Sequence, residues 1–265
     1  MFDLKELAAA LEQLARQAGD VLPEGGETVR VENKPGTANF VTQYDTATQQ
    51  RLFAGCLALA PDAVMIGEES YDTGGTLPDA SAFARSFVID PIDGTTNFIH
   101  GYRHSAISIG YLEYGVVMVG VVYDPSLKEC FTAVRGGGAV CNGVPLRVSA
   151  YPTEKALVSF GTSPYYADLR TQSLALLAKL LPRVADLRRS GSAALDLAYV
   201  AAGRTDAFFE LRLSPWDYAA GSLLVEEAGG RVTAPDGTPL AFDRCCGLLA
   251  ASPAVYEDIR GLVCP

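Results

Sequence analysis

The sequence predicts an α+β half followed by an α/β half, and two observations carry that prediction. Between residues 105 and 141 four strand-like runs follow one another across turns of a few residues, as antiparallel neighbours do. Beyond about Ala150, strand-like runs alternate with runs of helical period, the pattern of βα units with parallel pairing. The change of rhythm divides the chain into an N-terminal half, 1–150, and a C-terminal half, 151–265. A length of 265 residues, 49% of them hydrophobic and 20% charged, is ample for a large core and excludes wholesale disorder.

Asp3 and Glu6 resemble a capping pair, and Leu4, Leu7, Leu11, Leu14 and Ala18 recur at three and four as one apolar helical stripe. Gly25-Gly26 breaks it. Thr28 to Glu32 alternates like a strand, and Lys34-Pro35-Gly36-Thr37 reads as a loop. Thr42 caps a second helix running to about Ala60 and places Asp45 at its third position, where an acid alone reads as half of a capping box. A short strand, 63–66, ends at Gly67-Glu68-Glu69-Ser70, whose acids taken alone read as solvated loop charges. Residues 71–82 are rich in Gly, Pro and Asp and read as a surface loop.

Strand-like runs then cover 105–111, 115–123, 129–134 and 138–141. His100 and His104 lack metal-ligand spacing with the acids and read as loop packing. In the second half, strands are expected at 157–160, 184–187, 205–209 and 247–251, with helices at 167–181, 193–202, 215–228 and 255–263. Ser214-Pro215-Trp216-Asp217 supplies a cap, a proline at the first helical position and an acid at the third, again a capping pattern in isolation. Gly191-Ser192-Ala193 is a small-residue turn into a helix. Glu210 follows an apolar strand, where it either meets a substrate hydroxyl or faces solvent.

The chemistry concentrates in Asp90-Pro91-Ile92-Asp93-Gly94-Thr95-Thr96-Asn97, which follows the strand end Phe87-Val88-Ile89. Two carboxylates three apart suit a hard cation such as Mg²⁺. Gly94 lets the backbone approach a ligand, and a helix starting after it turns the N–H groups of Gly94, Thr95 and Thr96 toward an anion. Metal on one side and anion on the other point to metal-assisted phosphate chemistry. A net charge of −10 and a pI near 4.7 weigh against nucleic acid or anionic membrane as partners. They also require a fixed cation if phosphate is to enter. The six cysteines (56, 130, 141, 245, 246 and 264) form no C-x-x-C pair and read as reduced core thiols. The start, Met-Phe-Asp-Leu-Lys-Glu, has no signal-peptide character and no apolar run spans a membrane, so a soluble cytoplasmic protein is expected.

Together with Phe40-Val41-Thr42 and Asp45, Gly67-Glu68-Glu69, Gly191-Ser192-Ala193-Ala194, Pro215-Trp216-Asp217 and Glu226-Ala228-Gly229-Gly230, this run resembles the inositol monophosphatase family of lithium-sensitive, Mg²⁺-dependent phosphatases. The resemblance implies a layered αβαβα sandwich with an antiparallel N-terminal sheet and a mixed, largely parallel C-terminal sheet, the active site at the junction of the halves. It implies two or three Mg²⁺ ions, with Glu68, Asp90 and the Ile92 carbonyl on one and Asp90, Asp93 and Asp217 on another. Thr95 and Asp45 are implied to help Glu68 activate water, the N–H groups of Gly94 and Thr95 to cradle phosphate, and Glu210, Gly191, Ser192 and Ala193 to meet the alcohol. The implied substrate is a small phosphorylated polyol, myo-inositol monophosphate above all, and the implied assembly is a homodimer.

Asn39 departs from the family, which often has an acid there, five residues after the lysine matching Lys34; this bears on a third metal. Fructose-1,6-bisphosphatases and histidinol-phosphate phosphatases share the core and remain alternatives, as does a non-catalytic metal-binding protein. Thr96-Asn97, where the nucleotide-directed members carry Lys-Glu, argues against those. Two residues between Asp90 and Asp93 argue against an aspartyl-phosphate enzyme of the haloacid-dehalogenase kind, and Ile92 stands where a calcium loop needs an acid.

Overall fold

The structure is a computed structural model and describes residues 3–23, 29–33, 40–71, 77–164 and 166–264. Helix α1 (Leu4–Gly19) begins at Asp3, whose carboxylate accepts from the N–H groups of Lys5 and Glu6; of the expected stripe it buries Leu7, Leu11 and Ala18 and half-buries Leu4 and Leu14. Strands β1 (Val31–Asn33) and β2 (Phe40–Thr42) pair antiparallel ahead of helix α2 (Gln43–Leu59). The expected glycine break at 25–26, the strand start at Thr28, the 34–37 loop and Asn39 lie outside the described residues, as does 72–76.

Seven strands form the first sheet in sequence order: β3 (Val64–Gly67), β4 (Ser86–Asp93), β5 (Ala106–Glu113), β6 (Val116–Asp124), β7 (Glu129–Val134), β8 (Gly138–Cys141) and β9 (Val144–Pro145). Only β3 and β4 pair parallel within it, the other neighbours being antiparallel. A five-residue helix, α3 (Thr95–Ile99), follows β4.

The C-terminal elements are β10 (Leu157–Phe160), α4 (Ala167–Leu180), β11 (Asp186–Arg188), α5 (Ala193–Ala201), β12 (Ala207–Leu213), α6 (Pro215–Glu227), β13 (Arg231–Thr233), β14 (Cys246–Ala251) and α7 (Tyr256–Val263). Their sheet runs β11-β10-β12-β14-β13. It is mixed, as expected, but the parallel share is smaller than expected: β10 pairs parallel with β11 and β12, whereas β14 is antiparallel to both β12 and β13. Strand β13 is too short to read from the sequence. The chain returns from it through β14 without a helix, and a connection of that kind reverses direction.

Three apolar clusters define the layers. Helices α1 and α2 cover one face of the seven-stranded sheet through Leu11, Leu52, Ile107, Ile109 and Tyr111. Helices α5 and α6 fill the space between the sheets, and α4 and α7 cover the far face of the second sheet. The order is αβαβα. Both central helices are apolar almost all round, the signature of a helix with no solvent face. Helix α6 lies very close to the first sheet: a Cβ at Gly120 would stand 2.5 Å from the Ala220 carbonyl oxygen. Ser108 Oγ also donates to the Trp216 carbonyl at 3.2 Å, which fixes the start of α6 against β5. Of the six cysteines, all free, Cys56 and Cys130 are buried as expected; Cys141, Cys245, Cys246 and Cys264 are half-buried and so are not core residues.

Candidate active site

Strand β4 does not end at Ile89 but runs on to Asp93 through a bulge. Asp90 stands opposite Ser108 and Asp93 opposite Ala106, so three steps on β4 match two on β5. Side chains alternate along a regular strand, which would turn residues three apart to opposite faces. The extra residue cancels that alternation. It falls at Pro91-Ile92, where a proline has no N–H to lose from the ladder. Asp90 and Asp93 thus reach one side and line one cleft of about 240 Å³.

Asp217 joins them from the first turn of α6. One oxygen from each of Asp90, Asp93 and Asp217 lies within 4.8 Å of the others. Glu68 lines the same cleft from the 3-10 turn after β3, which Gln49 of α2 holds by accepting from the Glu69 N–H at 2.9 Å and donating to Ser70 at 3.1 Å. Burial pushes the carboxyls of Asp90 and Asp217 well up, and the neighbouring acids push them further. Asp93 rises less, to about 6, because Ser192 Oγ donates to its Oδ2 at 2.5 Å and the Ala194 N–H at 2.7 Å. Crowded, buried, all-oxygen donors that raise one another's pKa suit a hard divalent cation such as Mg²⁺.

Asp45 is fully buried and does not line the cleft. Its Oδ2 caps α2, accepting from Thr42 N at 2.8 Å and Thr42 Oγ1 at 2.5 Å. Its Oδ1 stands 3.3 Å from Thr95 Oγ1, which is also 3.2 Å from the Ile92 carbonyl oxygen. The capping role and the link to the site are therefore both present, one on each oxygen. Asp217 likewise accepts from the Ser214 N–H at 2.7 Å. Gly94 caps α3 with φ +91°, and a Cβ there would meet the carbonyl oxygens of Gly191 and His104 at 3.1 Å. Only glycine adopts that conformation without strain. Helix α3 begins directly after Gly94, and Gly94, Thr95 and Thr96 lie on the cleft wall.

Gly191, Ser192, Ala193 and Glu210 also line the cleft, so every expected site residue but Asp45 does. Ser192 spends its hydroxyl on Asp93. Glu210 accepts from Ser163 N at 2.7 Å and Ser163 Oγ at 3.2 Å, and burial pushes its pKa up to about 7. His104 packs its ring on Tyr199, in line with a packing role.

Several residues escaped the sequence reading. Asn97 Nδ2 donates to the carbonyls of His104 and Ser190 at 2.7 and 2.9 Å, tying the β4 loop to the turn before α5. Asp196 accepts from Ser190 Oγ at 2.6 Å, and burial raises its pKa to about 8. A lone acid in the apolar run of α5 was the signal that could have found it. Arg189, Arg212, Tyr166 and Cys245 also line the cleft.

A family model described as "Inositol monophosphatase family" matches residues 3–264. The chain is 45% identical over 223 residues to the "Nus factor SuhB" of Salmonella typhimurium, covering 83% of this chain and 81% of that one. It is 40% identical over 251 residues to the "Inositol-1-monophosphatase" of Rhizobium meliloti, covering 93% and 90%. Among solved structures, the extragenic suppressor protein suhB from Bartonella henselae superposes with a TM-score of 0.88 at 34% identity, over 98% of each chain.

Proposed function

The chain belongs to the inositol monophosphatase family, and from that premise we propose that it is a Mg²⁺-dependent phosphatase that hydrolyses small polyol phosphates such as myo-inositol monophosphate. The observation that carries this reading is the convergence of Asp90, Asp93 and Asp217, from two distant parts of the chain, on one buried cluster. The Rhizobium relative's name supports the substrate class.

In this proposal Glu68, Asp90, Asp93, Asp217 and the Ile92 carbonyl hold the metal. When bound, Mg²⁺ supplies positive charge to the phosphoryl oxygens and lowers the pKa of a water. Thr95, held by Asp45, orients the attacking water, and Glu68 takes its proton. Thr42 occupies one oxygen of Asp45 with two donors, and the other oxygen stands 3.3 Å from the Thr95 hydroxyl. The N–H groups of Gly94 and Thr95 bind the phosphate. Ser192 and Ala194 hold Asp93, and Glu210, Gly191 and Ala193 face the alcohol. The attack is direct, with no phosphoenzyme. Inhibition by lithium, a homodimer, a cytoplasmic location and two halves meeting at this cleft belong to the same proposal.

A phosphate-release panel with Mg²⁺ tests it, using inositol 1-phosphate, glycerol 2-phosphate, histidinol phosphate, fructose 1,6-bisphosphate and 3′-phosphoadenosine 5′-phosphate. Release from polyol phosphates that stops with EDTA is expected. No release from any of them would overturn the assignment. Sedimentation velocity reads the dimer.

A further inference from the structure

The cleft that gathers the carboxylates also holds two arginines, Arg189 just after β11 and Arg212 on β12. Several arginines elsewhere are ion-paired, Arg188 with Asp186 at 2.5 Å, Arg204 with Glu129 at 2.5 Å and Arg135 with Glu226 at 3.0 Å, whereas Arg51, Arg147, Arg170 and Arg183, outside the cleft, form none among the described residues. Among the described residues, neither Arg189 nor Arg212 forms an ion pair. Arg189 faces acids of the site, where burial raises the pKa of Asp93 and Glu210 and its charge draws them down, so Arg212 is the cleft guanidinium that calls for an explanation.

Arg212 is the more telling. Its guanidinium carbon lies 4.7 Å from the centre of the Tyr166 ring, so an aromatic face holds it where an acid does not. Its Nε is buried and has no acceptor. That N–H lies out of reach of a ligand, and any contact falls to the two terminal nitrogens, which are not buried and make no hydrogen bond among the described residues. Glu210, two residues earlier on the same strand, accepts from the Ser163 N–H at 2.7 Å, and the Ser163 hydroxyl shares its one proton between Glu210 Oε1 at 3.2 Å and the Arg212 carbonyl at 3.3 Å. That turn fixes the backbone of Arg212 and engages one oxygen of Glu210. What remains is a forked donor, held on a ring, in the wall of a phosphate site. Such forks match the paired oxygens of phosphate or carboxylate.

We infer that Arg212, supported by Arg189, forms a subsite for a second oxyanion of the substrate, so that the preferred substrates are small phosphate monoesters bearing a second phosphate or a carboxylate away from the scissile ester. The inference rests on the phosphatase reading above and narrows its substrate class. A single phosphate on a neutral alcohol leaves Arg212 unanswered.

Matched pairs test it: fructose 1,6-bisphosphate against fructose 1-phosphate, and 2-phosphoglycerate against glycerol 2-phosphate. The parent protein should favour the doubly anionic member of at least one pair by about tenfold or more in kcat/KM, mainly through KM. The pair that shows the preference identifies phosphate or carboxylate. In Arg212→Gln the ratio should fall toward one, and in Arg212→Lys, which keeps charge but loses the fork, it should fall part of the way. A ratio near one in the parent, or one unchanged in Arg212→Gln, would overturn the subsite. If no ester is hydrolysed, the phosphatase reading fails, and calorimetric titration with fructose 6-phosphate still decides the subsite. Binding about tenfold weaker in Arg212→Gln supports it; absent or indifferent binding sinks it.

Discussion

Strands β4 and β12 each match three residue steps to two on a neighbour, at Asp90–Asp93 and at Glu210–Leu213, and both irregularities sit on the cleft. What they present differs. The β4 bulge brings like charges together, and burial first, then the charges of Glu68 and Asp93, push the carboxyls of Asp90 and Asp217 well up. The β12 bulge presents one acid already engaged by Ser163 and one cation resting on Tyr166. The same backbone device thus serves two ends. Where it concentrates one sign of charge, the site depends on an ion from outside; where each charge has local support, the wall is suited to recognition.

The sharpest way to break this contrast is Asp93→Asn. The amide oxygen still accepts from Ser192 and Ala194, so the circular dichroism spectrum should not change. Phosphate release should fall by roughly 10³-fold or more, matching several kcal/mol of lost charge stabilisation. Near-parent turnover would erase the difference between the bulges.

Metal comes next. Mg²⁺ binds the folded state alone, so a hundredfold excess over its Kd should add about 3 kcal/mol, read as a rise in Tm that EDTA reverses. Asp93→Asn should show little of that rise, and Glu210→Gln all of it. Gly94→Ala should cost about 1–3 kcal/mol, because the new side chain must occupy a left-handed conformation between two carbonyls. A Tm equal to the parent's would contradict the tight packing of that turn.

The smallest effect is electrostatic and belongs to β12. Glu210 titrates at about 7 in the fold against an ordinary 4.5. A raised acid binds more protons folded than unfolded, so its contribution is complete below about 4.5 and is lost as pH rises through about 7. In EDTA, Glu210→Gln should flatten part of the decline in stability over that window. An unchanged slope would show that Glu210 titrates normally.

Much of this was legible in the sequence, because the α1 stripe, the closely spaced strands and the β–α alternation are local patterns. The direction of β14 was not, since pairing is decided by where the chain re-enters the sheet. Asp45 and Asp217 read as caps and are caps. Their placement beside Thr95 and the β4 acids depends on residues far away in sequence, which one segment cannot reveal. The bulge escaped for the same reason, being a mismatch between two strands and a property of neither alone. Arg212 carried no signal at all, as a charged residue near a strand end ordinarily faces water.

The ties from Asp93 to Ser192 and Ala194, and from Asn97 to Ser190, span 93 to 101 residues of chain. Contacts that distant close slowly, after local helices and hairpins have formed. A chain emerging from the ribosome therefore carries its acids apart until both sheets have docked through α5 and α6. Catalytic competence should lag behind secondary structure in refolding, and the appearance of Mg²⁺ affinity would mark the moment at which the last layer closes.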